Sequence, residues 1–438
     1  MWSPTLLLLN TLLGLTGSAV AKLRTCKARD LPAIEVFGLD ILDLSAKEVH
    51  GYTDYARWAS QAVVAGSMEV KPIDFCNFTV TYTHPGQNDT IHVYVWLPLG
   101  DAWNGKFLAQ GGGAWAAGSE GALAPGVALG YAGANTDAGH SIMGDLLDVA
   151  VNAEKWGLLS PGNINWVLLQ DFASRALDDL PKVAKQVIKG FYGETPSFSY
   201  WSGCSTGGRQ GLMSAQRYPK NYDGILASAP AINWASFVTA EIWPQIVMCK
   251  AGYYPPACEM EAIRQAAIAA CDELDGVKDG IIGASGLCTF DASTVAGSSF
   301  DCQGEERQIS TAATMIANAI WEGPHRNGKR EWYGTTHETT FGGLDPTVPF
   351  GGLAMTACES GNKKCKGLPF PLSDGWIRYF VHKDPDFDVA SMDEADFFSA
   401  LHRSRNEYGS IIDTSDPDLS EFKASGGKMI SWHGKQAH

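Results

Sequence analysis

The sequence predicts an α/β protein, in which a largely parallel sheet packs against helices. Short runs of β-branched and aromatic residues alternate with segments of helical periodicity, which is the rhythm of such a sheet. Hydrophobic residues make up 45% of the 438 residues and charged residues 18%, so an extensive core is available. The same composition excludes intrinsic disorder, collagen-like repeats and coiled coils.

The N-terminal 21 residues are rich in leucine and end in Ala19-Val20-Ala21, a pattern typical of signal-peptide cleavage. We therefore expect residues 1–21 to be a signal peptide, with a buried N-terminal helix as the alternative. Asn10 and Gly14 interrupt the apolar run, which makes it too short to span a membrane, and no later segment is long enough. The protein is thus expected to be secreted, without a membrane partner.

Four segments define the sheet domain in chain order. Residues 78–97 alternate on either side of a turn and predict a β-hairpin. Residues 106–109 predict a strand that leads directly into Gly111-Gly112-Gly113. Helical periodicity covers residues 163–191, and a strand pattern returns at residues 197–201. Strand, helix and strand in succession support the α/β prediction.

The composition of the chain changes after residue 230. Scattered cysteines, glycine-rich loops and separate helices between residues 231 and 389 indicate an inserted lid domain. We assign residues 22–230 to the first part of the sheet domain. Residues 390–438 are its remainder, and the pattern at 426–432 predicts another core strand. The length of the chain fits one domain that carries a large insertion.

Charge and cysteine content narrow the classes of function. The 33 basic and 48 acidic side chains leave a net charge of −15, which argues against binding nucleic acid through its phosphates. Ten cysteines without any C-x-x-C pair indicate disulfides rather than a thiolate metal site. Asn77 and Asn88 begin Asn-x-Thr sequons, so a secreted glycoprotein is expected.

A nucleophile motif, Gly203-Cys204-Ser205-Thr206-Gly207, lies between a strand pattern and a helical pattern. A lone G-x-S-x-G is usually a chance turn. In this setting it predicts a nucleophile elbow, a strained strand-to-helix turn that presents the serine Oγ at the edge of the sheet. The motif therefore specifies an α/β-hydrolase fold with a large inserted lid domain. Ser205 is the candidate catalytic nucleophile, and the N–H groups of Thr206, Gly112 and Gly113 are the candidate oxyanion-hole donors.

Residues 200–211, together with Tyr218-Pro219 and Tyr222-Asp223-Gly224-Ile225, resemble the fungal tannase and feruloyl esterase family. The resemblance covers nearly the whole mature chain. It implies a secreted serine carboxylic ester hydrolase that acts on ferulate or gallate esters through an acyl-enzyme on Ser205. The expected partner is a small-molecule or polysaccharide-linked aromatic ester. The residues themselves leave ferulate and gallate both open.

An acidic loop at residues 272–281 carries three aspartates and two glycines. Oxygen ligands on a tight loop suit Ca²⁺, whereas surface Asp-Gly turns are the alternative, and the spacing leaves both open. The family resemblance implies a structural calcium ion as the cofactor. The implied ligands are Asp272, Asp275, the Val277 carbonyl, Asp279 and the Ile281 carbonyl.

The cysteines are expected to form several disulfides. The family resemblance implies a pair between Cys271 and Cys288 and, in part, a pair between Cys26 and Cys76. Short spacing favours two further pairs, Cys249 with Cys258 and Cys358 with Cys365. Cys204 and Cys302 are then left over. In the family, the cysteine beside the nucleophile pairs with a cysteine next to the catalytic histidine.

The sequence departs from the family pattern after Trp432-His433-Gly434. The family aspartate would stand at Ala437, and the family histidine with its neighbouring cysteine has no counterpart. We therefore expect the acid and base of the triad to be missing, through truncation or an error in the gene model, and hydrolysis to be barely above background. His433 and His140 are the possible substitutes for the base, and Asp416 and Asp418 lie on a loop expected to be exposed; none of them is expected to rebuild a triad.

Two other classes of function remain open. A non-catalytic secreted binding protein would keep a pocket for phenolic conjugates without a working triad. A calcium-stabilised structural or lectin-like protein would explain the acidic loop but not the nucleophile motif. A fluorophosphonate distinguishes the esterase from the binding protein, because it labels Ser205 only if a base activates that serine.

Overall fold

The computed structural model describes residues 25–56, 68–140, 153–343, 351–359 and 363–434. The expected signal peptide, residues 1–21, lies outside the described residues, and so does Ala437. A search of the described helices finds none that is long and apolar enough to cross a membrane.

An eight-stranded mixed sheet is the framework of the protein. Its strands are β1 (Asp40–Ala56), β2 (Met68–Thr83), β3 (Ile91–Pro98), β4 (Lys106–Gln110), β5 (Ala132–Thr136), β6 (Phe198–Cys204), β7 (Gly224–Ser228) and β8 (Lys428–Trp432). They lie in the order β1-β2-β3-β5-β4-β6-β7-β8. The pairs from β1 to β5 are antiparallel, and the pairs from β5 through β4 and β6 to β8 are parallel. The predicted α/β class is confirmed.

Strand β8 forms an edge of the sheet in the described part of the chain. It pairs in parallel with β7 from Lys428 opposite Gly224 to Trp432 opposite Ser228. Ile430 is 68% exposed and Trp432 is 49% exposed. The sequence pattern predicted the strand correctly, and within the described residues no further strand pairs with its outer edge. The pattern of apolar residues along a strand does not by itself show which parts of that strand other elements will cover.

Two helices pack directly on the sheet. Helix α1 (Ala176–Tyr192) lies against β3 and β5, and α2 (Thr206–Arg217) lies against β6 and β7. Leu177, Leu180 and Val187 are fully buried on one stripe of α1, and burial of such a side chain contributes about 1.5–3 kcal/mol. The helical span predicted at 163–191 is divided into several pieces. A short helix, Trp166–Gln170, and a π-helical turn, Asp171–Arg175, precede α1.

The segment between β7 and β8 adds no strand to the main sheet within the described residues. Its longer helices are α3 (Trp234–Ala240), α4 (Trp243–Ala251), α5 (Ala257–Cys271), α6 (Thr311–Glu322) and α7 (Glu394–Ile412). Its hairpins pair Ser299–Cys302 with Glu305–Gln308, His325–Arg326 with Lys329–Arg330, and Thr356–Glu359 with Lys363–Gly367. Shorter helical turns are Pro371–Gly375, the π-helical Trp376–His382, and Ser420–Ala424.

An aromatic cluster joins this segment to the sheet domain. Trp115, from the loop after β4, is fully buried. Its ring centroid lies 5.3 Å from that of Trp234 on α3, 6.0 Å from that of Trp376 and 5.4 Å from that of Phe380. Edge-to-face and offset contacts of this kind add about 0.5–1.5 kcal/mol per pair beyond area burial. The inserted segment therefore shares one core with the loop after β4.

Four disulfides cross-link the described part of the chain. They are Cys26–Cys76, Cys258–Cys302, Cys271–Cys288 and Cys358–Cys365. The expected pair of Cys249 with Cys258 is wrong, and so is the expectation that Cys302 is left over. Cys258 lies in the first turn of α5, which packs against the hairpin strand that ends at Cys302. Gly252 ends α4 in a left-handed conformation and turns the chain away from Cys249, which is free, as is Cys204.

Candidate active site

Ser205 occupies a strained turn between β6 and α2. Its backbone has φ 60° and ψ −117°, a region that L-residues avoid, and the residue is exposed. The Ser205 N–H donates to the Ser228 carbonyl at 3.0 Å, and the Ala231 N–H donates to the Ser205 carbonyl at 3.2 Å. A backbone held out of its preferred conformation by its surroundings is what a nucleophile elbow requires.

Glycine is required around this turn because neighbouring backbone leaves no room for a Cβ atom. A Cβ on Gly203 would lie 2.4 Å from the Gly207 carbonyl oxygen. A Cβ on Gly208 would lie 2.5 Å from the Ser228 carbonyl oxygen, and one on Gly111 would lie 2.6 Å from Gly207 Cα. The glycines of the motif and of the upstream loop therefore allow α2 to approach both the strand and the loop.

The loop at residues 111–113 is bound to α2 by hydrogen bonds. The Gly207 N–H donates to the Gly112 carbonyl at 3.0 Å, and the Gly112 N–H donates to Gln210 Oε1 at 3.0 Å. The Gly113 N–H donates to the Ala116 carbonyl at 3.1 Å. The N–H groups of Gly112 and Gly113, the expected oxyanion-hole donors, therefore both have acceptors inside the protein in this arrangement.

Thr206 is the first residue of α2. Its N–H has no acceptor within the helix, and the helix N-terminus carries partial positive charge beside Ser205. Its side chain is buried, and Oγ1 donates to the Ala114 carbonyl at 2.7 Å. The hydroxyl thus holds the turn against the glycine loop, while the N–H stays a candidate oxyanion donor.

A groove of about 390 Å³ lies near the turn, and Ser205 itself is not among its lining residues. Its walls come from residues 230–233, from Phe237 and Trp332 of the inserted segment, and from residues 431–433 at the end of β8. The backbone of Ala231 in this wall is the donor to the Ser205 carbonyl. The aromatic side chains among the lining residues, Phe237, Trp332 and Trp432, suit an aromatic ring as the occupant.

No histidine side chain in the described ranges hydrogen-bonds to Ser205. His433 is exposed on the groove wall, and its Nδ1 lies 3.0 Å from a neighbouring backbone carbonyl. His140 is buried, with its ring stacked 3.9 Å from Trp156 and its Nε2 donating to the Leu168 carbonyl at 3.3 Å. Burial lowers the pKa of His140 to about 4. Neither histidine is placed as a base for Ser205.

Cys204 precedes the nucleophile and carries a free, half-buried thiol. Burial raises the pKa of this thiol, so it stays protonated at neutral pH. A protonated thiol is a poor nucleophile and a poor metal ligand. Cys204 is therefore a poor candidate for the reactive side chain, and Ser205 stays the candidate nucleophile of the motif.

Arg209 lies fully buried under the turn. Its Nη2 donates to the Phe172 carbonyl at 3.0 Å, and its Nη1 donates to the Ala173 carbonyl at 2.9 Å. The guanidinium also lies over the rings of Phe172 and Trp234, 5.3 and 5.8 Å from their centroids. Burial lowers its pKa to about 9. Arg209 thereby connects the nucleophile helix to the π-helical turn, whose carbonyls lie off the regular α-helical pattern.

The acidic loop follows α5 in the inserted segment, and its aspartates accept hydrogen bonds from the loop backbone. Asp272 Oδ1 accepts from the N–H groups of Asp279 and Gly280, at 3.2 and 2.9 Å. Asp275 Oδ2 accepts from the Gly283 N–H at 2.8 Å. The loop is thus wound around its own carboxylates, in the manner of an Asx-rich turn.

The donor types of this loop suit Ca²⁺, since carboxylate and carbonyl oxygens are its preferred ligands. Val277 and Ile281, whose carbonyls are the other expected ligands, are each 55% exposed. Within the described ranges, however, Asp272, Asp275 and Asp279 are not among the groups whose ligand atoms all lie within 4.8 Å of one another. The loop has the chemistry for calcium, and its three carboxylates do not converge as arranged.

Two His–Asp contacts were not predicted from the sequence. His92 Nδ1 lies 2.7 Å from Asp137 Oδ2, and His84 Nδ1 lies 2.5 Å from Asp89 Oδ2. Both histidines belong to the hairpin of β2 and β3, which β5 and β4 separate from β6. The alternating pattern marks which hairpin residues face the core, but it does not reveal which acid each histidine meets. The sequence signal that could have revealed these contacts is a charged residue at a position that is buried, such as Asp89.

A family model described as tannase and feruloyl esterase matches residues 76–438. A probable feruloyl esterase from Arthroderma benhamiae is 42% identical over 363 residues, which are 83% of this chain and 65% of that protein. A tannase from Aspergillus oryzae is 29% identical over 410 residues, which are 85% of this chain and 67% of that protein. This chain thus spans about two thirds of the length of these curated relatives.

The solved structures similar to this chain include proteins with related names. A tannin acyl hydrolase from Aspergillus niger matches with a TM-score of 0.80 and 27% identity, over 94% of this chain and 73% of that chain. Feruloyl esterase B from Aspergillus oryzae matches with a TM-score of 0.68 and 23% identity, over 93% of this chain and 75% of that chain, and shows the fold alone. The predicted α/β-hydrolase fold is confirmed by these neighbours.

Proposed function

This chain belongs to the tannase and feruloyl esterase family, and we propose that it is a secreted serine ester hydrolase for ferulate or gallate esters. The observation that carries the proposal is the strained turn that presents Ser205 beside a groove with aromatic walls. An acyl-transfer enzyme of this fold needs an exposed oxygen nucleophile at this edge of the sheet. Ser205 supplies it.

In the proposed reaction, Ser205 Oγ attacks the ester carbonyl, the ester C–O bond breaks, and the serine proton leaves with the alcohol, so that an acyl-enzyme forms. The Thr206 N–H donates to the carbonyl oxygen as that oxygen becomes negative. Water then attacks the acyl-enzyme and releases the aromatic acid. Phe237 and Trp332 on the groove walls support binding of the aromatic ring by stacking.

The absence of a histidine contact to Ser205 in the described residues favours a second candidate, a binding protein for phenolic conjugates. Loss of the base in a serine hydrolase costs roughly a million-fold in kcat. On this second candidate, the chain by itself would hydrolyse such esters barely above background, while the groove would bind the aromatic acid.

The experiment uses the 438-residue chain with methyl ferulate and methyl gallate, and with a fluorophosphonate probe. Labelling of the unmodified protein and of Ser431→Ala, but not of Ser205→Ala, would support the hydrolase and show that a base lies within the chain. Ser431 is an exposed serine on the same groove and serves as the matched control. Absence of labelling, together with saturable ferulate binding that Trp332→Ala weakens, would support the binding protein instead.

We also propose that the acidic loop binds a structural Ca²⁺ ion through Asp272, Asp275, Asp279 and the carbonyls of Val277 and Ile281. Three carboxylates on one loop, with the Cys271–Cys288 disulfide closing it, support this proposal. Ca²⁺ should raise Tm above its value in EGTA in the unmodified protein. It should do the same in Asp301→Asn, a control substitution in an acidic turn outside this loop. Asp275→Asn should abolish the shift, and an unchanged shift in that variant would reject the loop as the site.

Secretion is part of the proposal, and the four disulfides support it because they persist in oxidising compartments. Asn88 is exposed in the β2–β3 turn and is the more accessible sequon. Asn77 lies within β2, and its Nδ2 donates to Glu120. We therefore propose a glycan at Asn88, whose loss in Asn88→Gln should increase gel mobility. An unchanged mobility of the secreted protein would contradict it.

A further inference from the structure

A buried cluster of charged side chains lies where the turn between β2 and β3 meets the helices. His84 and Asp89 come from the turn, Asp171 and Arg175 from the π-helical turn, and Asp179 from α1. Asp171 is completely buried, Asp89 is 4% exposed and Asp179 is 7% exposed. Three buried carboxylates around one imidazole are a costly arrangement unless each oxygen has a partner.

The imidazole of His84 is oriented through both of its nitrogens. Nε2 donates to Asp179 Oδ2 at 3.1 Å, and the same carboxylate oxygen accepts from the Tyr82 hydroxyl at 3.2 Å. Nδ1 faces the other two carboxylates, 2.5 Å from Asp89 Oδ2 and 3.9 Å from Asp171 Oδ1. A histidine that binds a metal through one nitrogen usually donates its other N–H to an outer carboxylate. His84 has that outer partner in place.

Asp171 has one oxygen that is satisfied and one that is not. Arg175 Nε donates to Oδ1 at 2.8 Å, and Nη2 of the same guanidinium lies 2.7 Å from that oxygen as an ion pair. Oδ2 is buried and has no hydrogen-bond partner among the described residues. Asp171 begins the π-helical turn, a feature that recurs at functional sites. Two groups can satisfy this oxygen: a proton on the carboxyl, whose pKa burial raises to about 7, or a bound cation.

We propose that His84 Nδ1, Asp89 and Asp171 bind a divalent transition-metal ion such as Zn²⁺. Within the described ranges, this group has ligand atoms that all lie within 4.8 Å of one another. An imidazole with carboxylates suits zinc, whereas Ca²⁺ and Mg²⁺ prefer oxygen ligands alone. Asp179 and Arg175 are positioning residues, since they orient His84 and Asp171 without ligating.

The charge balance of the cluster agrees with a divalent ion. With His84 protonated and all three carboxyls ionised, the carboxylates face two positive side chains, Arg175 and His84, and one negative charge remains in excess. Burial raises the pKa of Asp171 to about 7, so a proton on that carboxyl is the competing way to balance the cluster. Metal binding requires the Nδ1 proton to leave, and it goes to solvent as the N–metal bond forms. The neutral imidazole, the guanidinium and a divalent ion then balance the three carboxylates. The ion would fasten the β2–β3 turn to the helices, several strands away from Ser205.

The test measures Zn²⁺ binding to chelator-stripped full-length protein by calorimetry and native mass spectrometry, with Ca²⁺ present throughout to occupy the acidic loop. We expect one Zn²⁺ per chain and a higher Tm. Asp179→Asn should weaken Zn²⁺ binding by about 10–100-fold through loss of the outer partner. His84→Ala should abolish it.

His50→Ala is the matched control, because His50 also lies between two acids, Glu48 at 3.0 Å and Asp74 at 3.4 Å, but on the surface. It should leave Zn²⁺ binding unchanged. If His84→Ala fails to fold, an anomalous difference peak in Zn²⁺-soaked crystals of the unmodified protein decides the matter. A peak about 2.0–2.2 Å from His84 Nδ1 supports the site. If Zn²⁺ binds only elsewhere, or does not bind at all, protons alone satisfy the buried carboxylates and the proposal is overturned.

Discussion

The backbone N–H of Gly112 donates to Gln210 Oε1 at 3.0 Å and so ties the glycine loop to the helix that begins at the nucleophile turn. The Nε2 of the same side chain donates to the Ala117 carbonyl at 2.9 Å. Gln210 is completely buried, so neither backbone partner has access to water. One side chain of α2 therefore fixes two points of the loop that follows β4.

Gln210→Ala is expected to lower the free energy of unfolding by about 2–4 kcal/mol, because it leaves a buried N–H and a buried carbonyl unpaired and opens a cavity. Urea unfolding measures this loss. Gln216→Ala on the same helix is the control, since Gln216 bonds the Thr414 carbonyl at 2.6 Å at a partly exposed position. Its loss should be about 1 kcal/mol or less. Equal losses in the two variants would contradict the role given to Gln210.

Arg209→Lys is expected to lower the free energy of unfolding by about 2–4 kcal/mol. A lysine has one nitrogen and cannot satisfy the Phe172 and Ala173 carbonyls with the geometry of a guanidinium, and an ammonium in this buried site loses its hydration. Arg217→Lys is the control, because Arg217 is exposed and donates to the Ser410 carbonyl at 2.8 Å. A loss in Arg209→Lys as small as that of the control would show that the buried bonds do not matter.

The free cysteines give a direct test of the disulfide arrangement. Alkylation in denaturant without reductant should modify Cys204 and Cys249 and leave the other cysteines intact. Under native conditions Cys204 should react slowly, because burial raises the pKa of its thiol. Peptide mapping reads both outcomes, and modification of Cys258 or Cys302 would reject the pairing of those two residues.

The parts of the fold that the sequence predicts well are those set by local rules. The alternation at residues 78–97 is a hairpin, and the apolar stripe after residue 176 is α1, because periodicity directly encodes which side of an element is buried. The π-helical turn at Asp171–Arg175 was not predicted, since its sequence pattern is the same as that of an α-helix. The pairing of Cys258 with Cys302 also depends on tertiary packing, which spacing does not encode.

The candidate site divides in the same way. The Ser205 turn was predicted because its neighbours must be glycine for steric reasons. A glycine run does not reveal that Gln210, distant in sequence, accepts a hydrogen bond from the Gly112 N–H, so this contact of an expected oxyanion donor could not be predicted. The cluster of His84, Asp89 and Asp171 brings together a turn and a helix, and only the folded chain shows that contact.

His140 makes stability depend on acidity in a defined window. Burial lowers its pKa from 6.5 to about 4. A group of this kind binds its proton more weakly in the folded state than in the unfolded chain. The stability that its neutral form contributes is therefore complete above pH 6.5 and is lost as the pH falls from 6.5 towards 4, at up to about 1.4 kcal/mol per pH unit.

His140→Phe removes this titration while it keeps an aromatic ring against Trp156, where the His140 ring stacks at 3.9 Å. Between pH 7 and pH 5, the free energy of unfolding should therefore fall by about 2 kcal/mol less in His140→Phe than in the unmodified protein. Urea unfolding at the two pH values measures the difference, and acids common to both proteins cancel in it. His402→Phe, at an exposed position on α7, should reproduce the pH dependence of the unmodified protein. If His140→Phe also reproduces it, the folded protein binds the His140 proton as tightly as the unfolded chain does, and the burial argument fails.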